Sequence, residues 1–115
     1  MKAYTDISQS KRLKEILPLE SADMAWYPSF AKEGYSIRML NDTYPLDIIG
    51  EEYDEIPAWS LAALINVMPN GCLIKNINGK YKVLSNSSCV INDVFNNSVD
   101  ACVEMIMRLN EQKLL

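Results

Sequence analysis

The sequence predicts an α+β fold in which a small antiparallel sheet packs with about three helices. Two observations point to this class: an Asn-Gly hairpin signal inside "CLIKNINGKYKVLS", residues 72–85, and helical spacing of apolar residues on both sides of it. A chain of 115 residues with 49% apolar and 23% charged residues is ordinary for a globular domain. We therefore expect a single domain over residues 1–115.

The hairpin is the clearest local signal. Asn78-Gly79 is the dipeptide that best satisfies a type I′ turn, and the residues on both sides of it alternate in polarity. In the first run Leu73, Lys75 and Ile77 alternate with Ile74 and Asn76. In the second run Tyr81 and Val83 alternate with Lys80 and Lys82. "SSCVINDVF", residues 87–95, predicts a further strand, so we expect an antiparallel meander of at least three strands.

Helix signals stand near both ends of the sequence. Asp6 followed by Gln9 imitates a capping box and predicts a helix from Ile7 to Leu17, which Pro18 stops. Asn97 or Ser98 is expected to cap a last helix. The apolar stripe of that helix is Val99, Cys102, Val103, Ile106 and Leu109, widened by Met105 and Met107.

Two short strands and an acidic loop are predicted between these helices. Aromatic and β-branched residues with partial alternation predict strands over residues 24–27 and 35–40, linked through Pro28 and Gly34. Residues 41–56 are acidic and keep no period, so we interpret them as a long loop. Loops of this length in compact domains are usually functional or disordered.

The segment "DEIPAWSLAALINVMPNG", residues 54–71, predicts a short central helix over residues 58–67. Pro57 suits the first helical position, and Asp54 and Glu55 would complement the positive end of the helix dipole. The expected core face is Leu61, Leu64, Ile65 and Met68.

The opposite side of this helix is mostly apolar as well, with Trp59, Ala62, Ala63 and Asn66. A helix that is apolar nearly all round is generally buried on both sides. Two alternatives follow: either it is the central helix of the domain, or its Trp59 and alanine side meets another protein chain.

The sequence lacks the residues that several common kinds of catalytic site require. The chain has no histidine, the usual general base at neutral pH and the commonest metal ligand. Its cysteines, Cys72, Cys89 and Cys102, are widely spaced and odd in number, which argues against a zinc site or a disulfide framework. With only four glycines, a glycine-rich phosphate loop is excluded. We expect no cofactor and no metal, and this pattern favours a non-enzymatic role.

Charge and hydropathy limit the partners. The net charge is −4, and residues 40–73 contain acids but no Lys or Arg, so direct nucleic-acid binding is disfavoured. The longest apolar stretch, residues 58–68, is far shorter than the ~20 residues that cross a bilayer, and the start has no apolar signal-peptide core. We expect a cytoplasmic protein that binds another protein or a second copy of itself.

The candidate contact residues are aromatic and acidic. Large amphipathic rings dominate interface hot spots, and a Trp beside an acidic loop could anchor a basic partner. The candidates are Trp26, Tyr27, Tyr53 and Trp59, with Asp54 and Glu55 beside them. The alternative is that the two tryptophans pack inside the domain.

Three blocks of the sequence resemble a family. "YTDISQSKRLKEILPLESADM", "IPAWSLAALINVMP" and "VDACVEMIMRLNE" are similar to small uncharacterised proteins of gut anaerobic bacteria and their prophages or mobile elements. The blocks cover less than half of the chain. The resemblance implies a bacterial cytoplasm and an accessory role in a phage or mobile element, and it supplies no activity and no functional residues.

Three hypotheses result. The first is a non-enzymatic protein-interaction or accessory protein. The second is an acidic inhibitor or immunity-type protein that occupies the basic site of a nucleic-acid enzyme, a contact that salt would weaken. The third is a histidine-free enzyme that uses carboxylates from the stretch between Asp42 and Glu55, which would require a pocket holding at least two of them.

Overall fold

A computed structural model describes residues 2–28, 34–41, 55–85 and 93–115 of the chain. This part contains helices and two small antiparallel sheets, which confirms the predicted α+β class. The helices are α1 (Ile7–Lys14), α2 (Leu61–Val67) and α3 (Ser98–Glu111), with a short 3₁₀ helix at Leu19–Ser21. The strands are β1 (Met24–Pro28), β2 (Tyr35–Met39), β3 (Ile56–Ala58), β4 (Leu73–Ile77) and β5 (Lys80–Leu84).

The first sheet has the strand order β2-β1-β3, and both pairings are antiparallel. β1 and β2 match the predicted strands within one residue at each end. β3 was not predicted, because the expected loop over residues 41–56 included Ile56. In the structure Ile56 pairs with Trp26, whose other neighbour in the sheet is Ile37. Residues 42–54 of the predicted loop lie outside the described residues.

The predicted start of the central helix is wrong by three residues. Pro57 does not open the helix but lies in β3, opposite Ala25 of β1. A proline is tolerated there because no described strand pairs with the other edge of β3. The helix begins at Leu61, after Ser60, whose side chain accepts a hydrogen bond from the Ala63 N–H at 3.2 Å. A serine cap thus replaces the proline start that was expected.

The core face of α2 is also rotated from the prediction. Leu64 and Met68 are buried as expected, but Ile65 is 47% exposed and Ala63 is buried instead. Val67 is partly buried against the same core, so the buried side of α2 extends toward Ala63 and Val67. At about 100° per residue, Ile65 then lies at the edge of the solvent side.

Both terminal helices have the predicted caps. At α1 the Gln9 N–H donates to the Asp6 carboxylate at 2.8 Å, and the Asp6 N–H donates to the Gln9 side chain at 3.1 Å, which confirms the capping box. α1 ends at Lys14 rather than Leu17, where the chain turns and buries Leu17. α3 is capped by the Asn97 side chain. The predicted core stripe of α3 is fully buried.

The second sheet is the predicted hairpin. β4 and β5 are joined by Asn78 and Gly79, which both have positive φ, as a type I′ turn requires. Beyond β5, Tyr81 forms an antiparallel bridge with Phe95. Phe95 is the last residue of the predicted third strand, and residues 87–92 of that prediction lie outside the described residues.

The main core lies among the helices and the hairpin. α3 contacts α1, α2 and β5, and it supplies half of the buried residues of this core. The largest fully buried members of this core are Leu13, Trp59, Leu64, Val83, Met105, Ile106 and Leu109. In the described ranges, no helix combines the length and the apolar character that crossing a bilayer demands.

Candidate interaction site

Trp59, the first predicted contact residue, lies in the core of the chain itself. Its side chain has no exposed surface, and its indole N–H donates to the Ser21 hydroxyl at 2.9 Å. Its backbone N–H donates to Thr5 Oγ1 at 3.1 Å. A buried Trp with its one polar atom satisfied is a stable core residue. Of the two alternatives for this segment, the structure places Trp59 inside the domain.

Trp26 and Tyr27 lie on β1 and are half-buried. The Trp26 indole N–H donates to the Thr5 carbonyl at 3.0 Å, and its ring meets Tyr4 edge-on with 5.7 Å between the centroids. Tyr27 pairs with Ser36 of β2. The polar atom of Trp26 is therefore used within the chain, where it ties the N-terminal segment to the first sheet.

Glu55 precedes β3 and forms a bidentate ion pair with Arg38 of β2. Arg38 Nε and Nη2 each lie 2.9 Å from a different oxygen of the Glu55 carboxylate. β1 lies between these two strands, so the Arg38 side chain reaches across β1, where Ala25 is its cross-strand partner. The Glu55 side chain is only 11% exposed. Tyr53 and Asp54 lie outside the described residues.

A polar cluster that sequence reasoning missed surrounds Asp100. Its carboxylate accepts hydrogen bonds from Lys2 Nζ, Gln9 Nε2 and Asn97 Nδ2, each at 2.8 Å. Burial alone would raise the pKa of Asp100, but these hydrogen bonds and the charge of Lys2 together hold that pKa below its ordinary value. The cluster joins the N-terminal segment and α1 to the start of α3.

The hairpin carries the most distinctive exposed surface of the described residues. Side chains alternate along β4 and β5, and one face packs on the core through Ile74, Tyr81 and Val83. We call the opposite side the outer face. It consists of the cross-strand pairs Leu73 with Leu84, Lys75 with Lys82, and Ile77 with Lys80.

The aliphatic residues of the outer face are open to solvent. Leu73 is 57% exposed, Ile77 38% and Leu84 37%, although isolated aliphatic residues on a protein surface are common and carry little meaning. Here Leu73 and Leu84 are direct partners, and Ile77 follows on the same face. The lysine pair Lys75–Lys82 lies between that leucine pair and Ile77, and exposed apolar side chains rimmed by charge are typical of protein contact surfaces.

The lysines of the outer face bring like charges together. Lys75 and Lys82 are cross-strand partners, and like charges directly opposite each other destabilise a strand pair. Neither forms a salt bridge with any described residue. Lys80 donates a hydrogen bond to the side-chain carbonyl of Asn96. This face is therefore basic and aliphatic in a chain whose net charge is −4.

The described residues contain neither a candidate metal site nor a reactive thiol. No group of three or more Cys, Asp or Glu residues there could hold a metal ion. Cys102 is buried, and burial, followed by the neighbouring Cys72, raises the pKa of its thiol to about 12. Such a thiol is a poor nucleophile at neutral pH.

Comparison of the chain with known protein families, curated proteins and solved structures finds no match. The assignment of a site therefore depends on geometry and chemistry alone. The resemblance to proteins of gut anaerobes stays a prediction.

Proposed function

We propose that the protein acts without catalysis, by binding another protein through the outer face of the β4–β5 hairpin. The observation that carries this proposal is the row of exposed cross-strand pairs, in which Lys75 faces Lys82 between aliphatic neighbours. A partner that places carboxylates near these lysines would relieve their repulsion while it covers Leu73 and Leu84. Charge complementarity of this kind favours specific contact and fast association.

The contact surface that we propose differs from the residues that the sequence indicated. The polar groups of Trp59, Trp26 and Glu55 already have partners within the chain. The outer face instead exposes aliphatic side chains and the lysine pair Lys75–Lys82, which forms no salt bridge with a described residue. The missing histidine supports a non-enzymatic role. The bacterial and mobile-element context implied by the sequence resemblance is part of the proposal and is independent of the contact surface.

The acidic-inhibitor hypothesis has less support in the described residues. Glu55 is the one acid of the run between Asp42 and Glu55 that the structure describes, and its carboxylate already pairs with Arg38. Breaking a partly buried pair to reach a basic enzyme site would cost free energy. The same pairing weakens the hypothesis of a carboxylate enzyme, as far as it relies on Glu55.

Affinity capture with matched variants tests the proposal. The tagged wild-type chain is used to recover partners from its native host, and any partner is identified by mass spectrometry and reconstituted from purified components. The test variant is Leu73→Ser with Leu84→Ser, and the control is Met39→Ser with Ile65→Ser, two residues of similar exposure elsewhere. Circular dichroism first confirms that both variants fold.

We expect the reconstituted complex to be lost with the hairpin variant and kept with the control variant. Addition of the charge change Lys82→Glu to the wild-type chain should weaken the complex as well, with less dependence on salt afterwards. Equal binding by the hairpin variant and the wild type would contradict the proposed function.

A further inference from the structure

The proposed function names a surface but not the mode of contact, and the backbone of the hairpin supplies one. We infer that β4 is a docking strand, to whose open edge an extended acidic and aliphatic segment of the partner adds as a further strand. The inference rests on the proposed function, because it uses the same hairpin and the same partner.

The direction of the backbone groups follows from the bridge on the other side of the hairpin. Tyr81 exchanges two hydrogen bonds with Phe95, its N–H to the Phe95 carbonyl and the Phe95 N–H to its carbonyl, both at 2.8 Å. The N–H and C=O of Tyr81 therefore point away from β4. In an antiparallel ladder, its partner Asn76 must then be in a non-hydrogen-bonded pair.

The backbone groups of β4 consequently point outward at alternate residues. Asn76 directs its N–H and C=O to the side of β4 opposite to β5, and Ile74, two residues away, does the same. Across the described ranges, no backbone group forms a hydrogen bond with these groups and no strand pairs with this edge. Unpaired edge groups of this kind are the template for strand addition by another chain.

The side chains of β4 define what the added strand should contain. Side chains of a new strand would lie beside Leu73, Lys75 and Ile77 on the outer face, at every second position. A carboxylate beside Lys75 would also approach Lys82, since the two lysines are partners. Aliphatic residues two positions before and after that carboxylate would cover Ile77 and Leu73. The segment that fits best therefore alternates, with an acid between two aliphatic residues.

A second copy of β4 fits this edge poorly. The two-fold arrangement that pairs Ile74 with Asn76 of the second copy sets Lys75 opposite its own equivalent, with Lys82 of each copy in the same row. A row of like charges is unfavourable, and lysines on edge strands are a known protection against self-association. The other two-fold registers set Lys75 opposite Leu73 or Ile77 of the second copy and place no carboxylate beside the lysines. The occupant is thus a different chain with acidic character.

Synthetic peptides test this inference directly. The probe is the capped peptide Thr-Val-Thr-Glu-Thr-Val-Thr, and its matched control carries Lys in place of Glu. Titration into the intact, isotope-labelled protein is followed by NMR. We expect saturable shifts of the Ile74 and Asn76 amides, slower hydrogen exchange of both, and weaker binding of the Lys peptide. Lys75→Ala should weaken the Glu peptide by about two- to fivefold.

Backbone methylation separates strand addition from side-chain contact. In an added strand only every second peptide N–H faces β4, so methylation of one alternate set of nitrogens should abolish binding and methylation of the other set should spare it. If both methylated peptides bind like the parent while Lys75→Ala still weakens it, the strand-addition inference is wrong and the proposed function stands. Equal binding by the Lys peptide, or tighter binding of single-stranded oligothymidylate to this edge, would also overturn the inference.

Discussion

Lys75 of β4 and Lys82 of β5 are direct cross-strand partners on the exposed face of the hairpin, with Leu73 and Leu84 as the next pair on that face. Each lysine is placed beside a charge of its own sign in a two-stranded ribbon, where a polar neutral residue would be more favourable. This pair connects the stability of the hairpin to its proposed contact with an acidic partner.

Reversing one charge of this pair should stabilise the free protein. Lys75→Glu replaces a like-charge pair with an ion pair, and we expect the free energy of unfolding to rise by about 0.2–1 kcal/mol. Urea denaturation at low ionic strength measures this change. The double variant Lys75→Glu, Lys82→Glu restores a like-charge pair and should lose the gain. A single variant less stable than the wild type would contradict the repulsion we describe.

The ion pair between Arg38 and Glu55 should stabilise the first sheet. Removing one partner by Arg38→Met or Glu55→Gln leaves the other group largely buried without its bidentate contact, so each variant should lose about 1–3 kcal/mol. Because both residues have further contacts, the double variant is needed to isolate their coupling. Additive losses in that thermodynamic cycle would show that the pair contributes nothing of its own.

Acid should weaken the cluster around Asp100. Its folded-state pKa lies below the ordinary value of 3.8, so its contribution to stability is present above that value and lost as the pH falls through the folded pKa. Asp6 shifts in the same direction and adds to the effect. Asp100→Asn should reduce the loss of stability on acidification, measured by urea denaturation at stepwise lower pH.

Replacing Trp59 should damage the core and not an interface. Trp59→Ala removes the largest fully buried side chain and should cost about 3–5 kcal/mol. Trp59→Phe keeps most of the volume but loses the hydrogen bond to Ser21, so a smaller loss is expected. Urea denaturation gives both values, and light scattering gives the mass in solution. A folded Trp59→Phe variant with half the mass of the wild type would place this residue at an interface after all.

Local signals explain what was predictable. The hairpin follows from Asn78-Gly79 and from alternation within neighbouring residues, and α3 follows from Asn97 and a regular apolar stripe. In each case the interactions that decide the structure lie within a few residues of each other, so the sequence alone contains them.

Long-range pairing explains what was missed. β3 exists because Ile56 and Pro57 pair with β1, about thirty residues earlier, and no local pattern indicates this. The start of α2 shifted for the same reason. Arg38 and Glu55 are seventeen positions apart and meet only in the assembled sheet. The alternation of side chains along the hairpin puts the lysines on one face and Tyr81 and Val83 on the other. Which of these faces stays exposed is decided by the packing of the hairpin against α3.

Photo-crosslinking in cells of the native host tests the central claim most directly. A benzoyl-phenylalanine is placed at Leu73 on the outer face or, as the matched control, at Ile65 on the exposed side of α2. We predict a defined adduct with one partner protein from position 73, reduced by Lys82→Glu in the same chain, and no such adduct from position 65. Absence of an adduct at position 73, or the same adduct from both positions, would contradict the assignment of the hairpin as the contact surface.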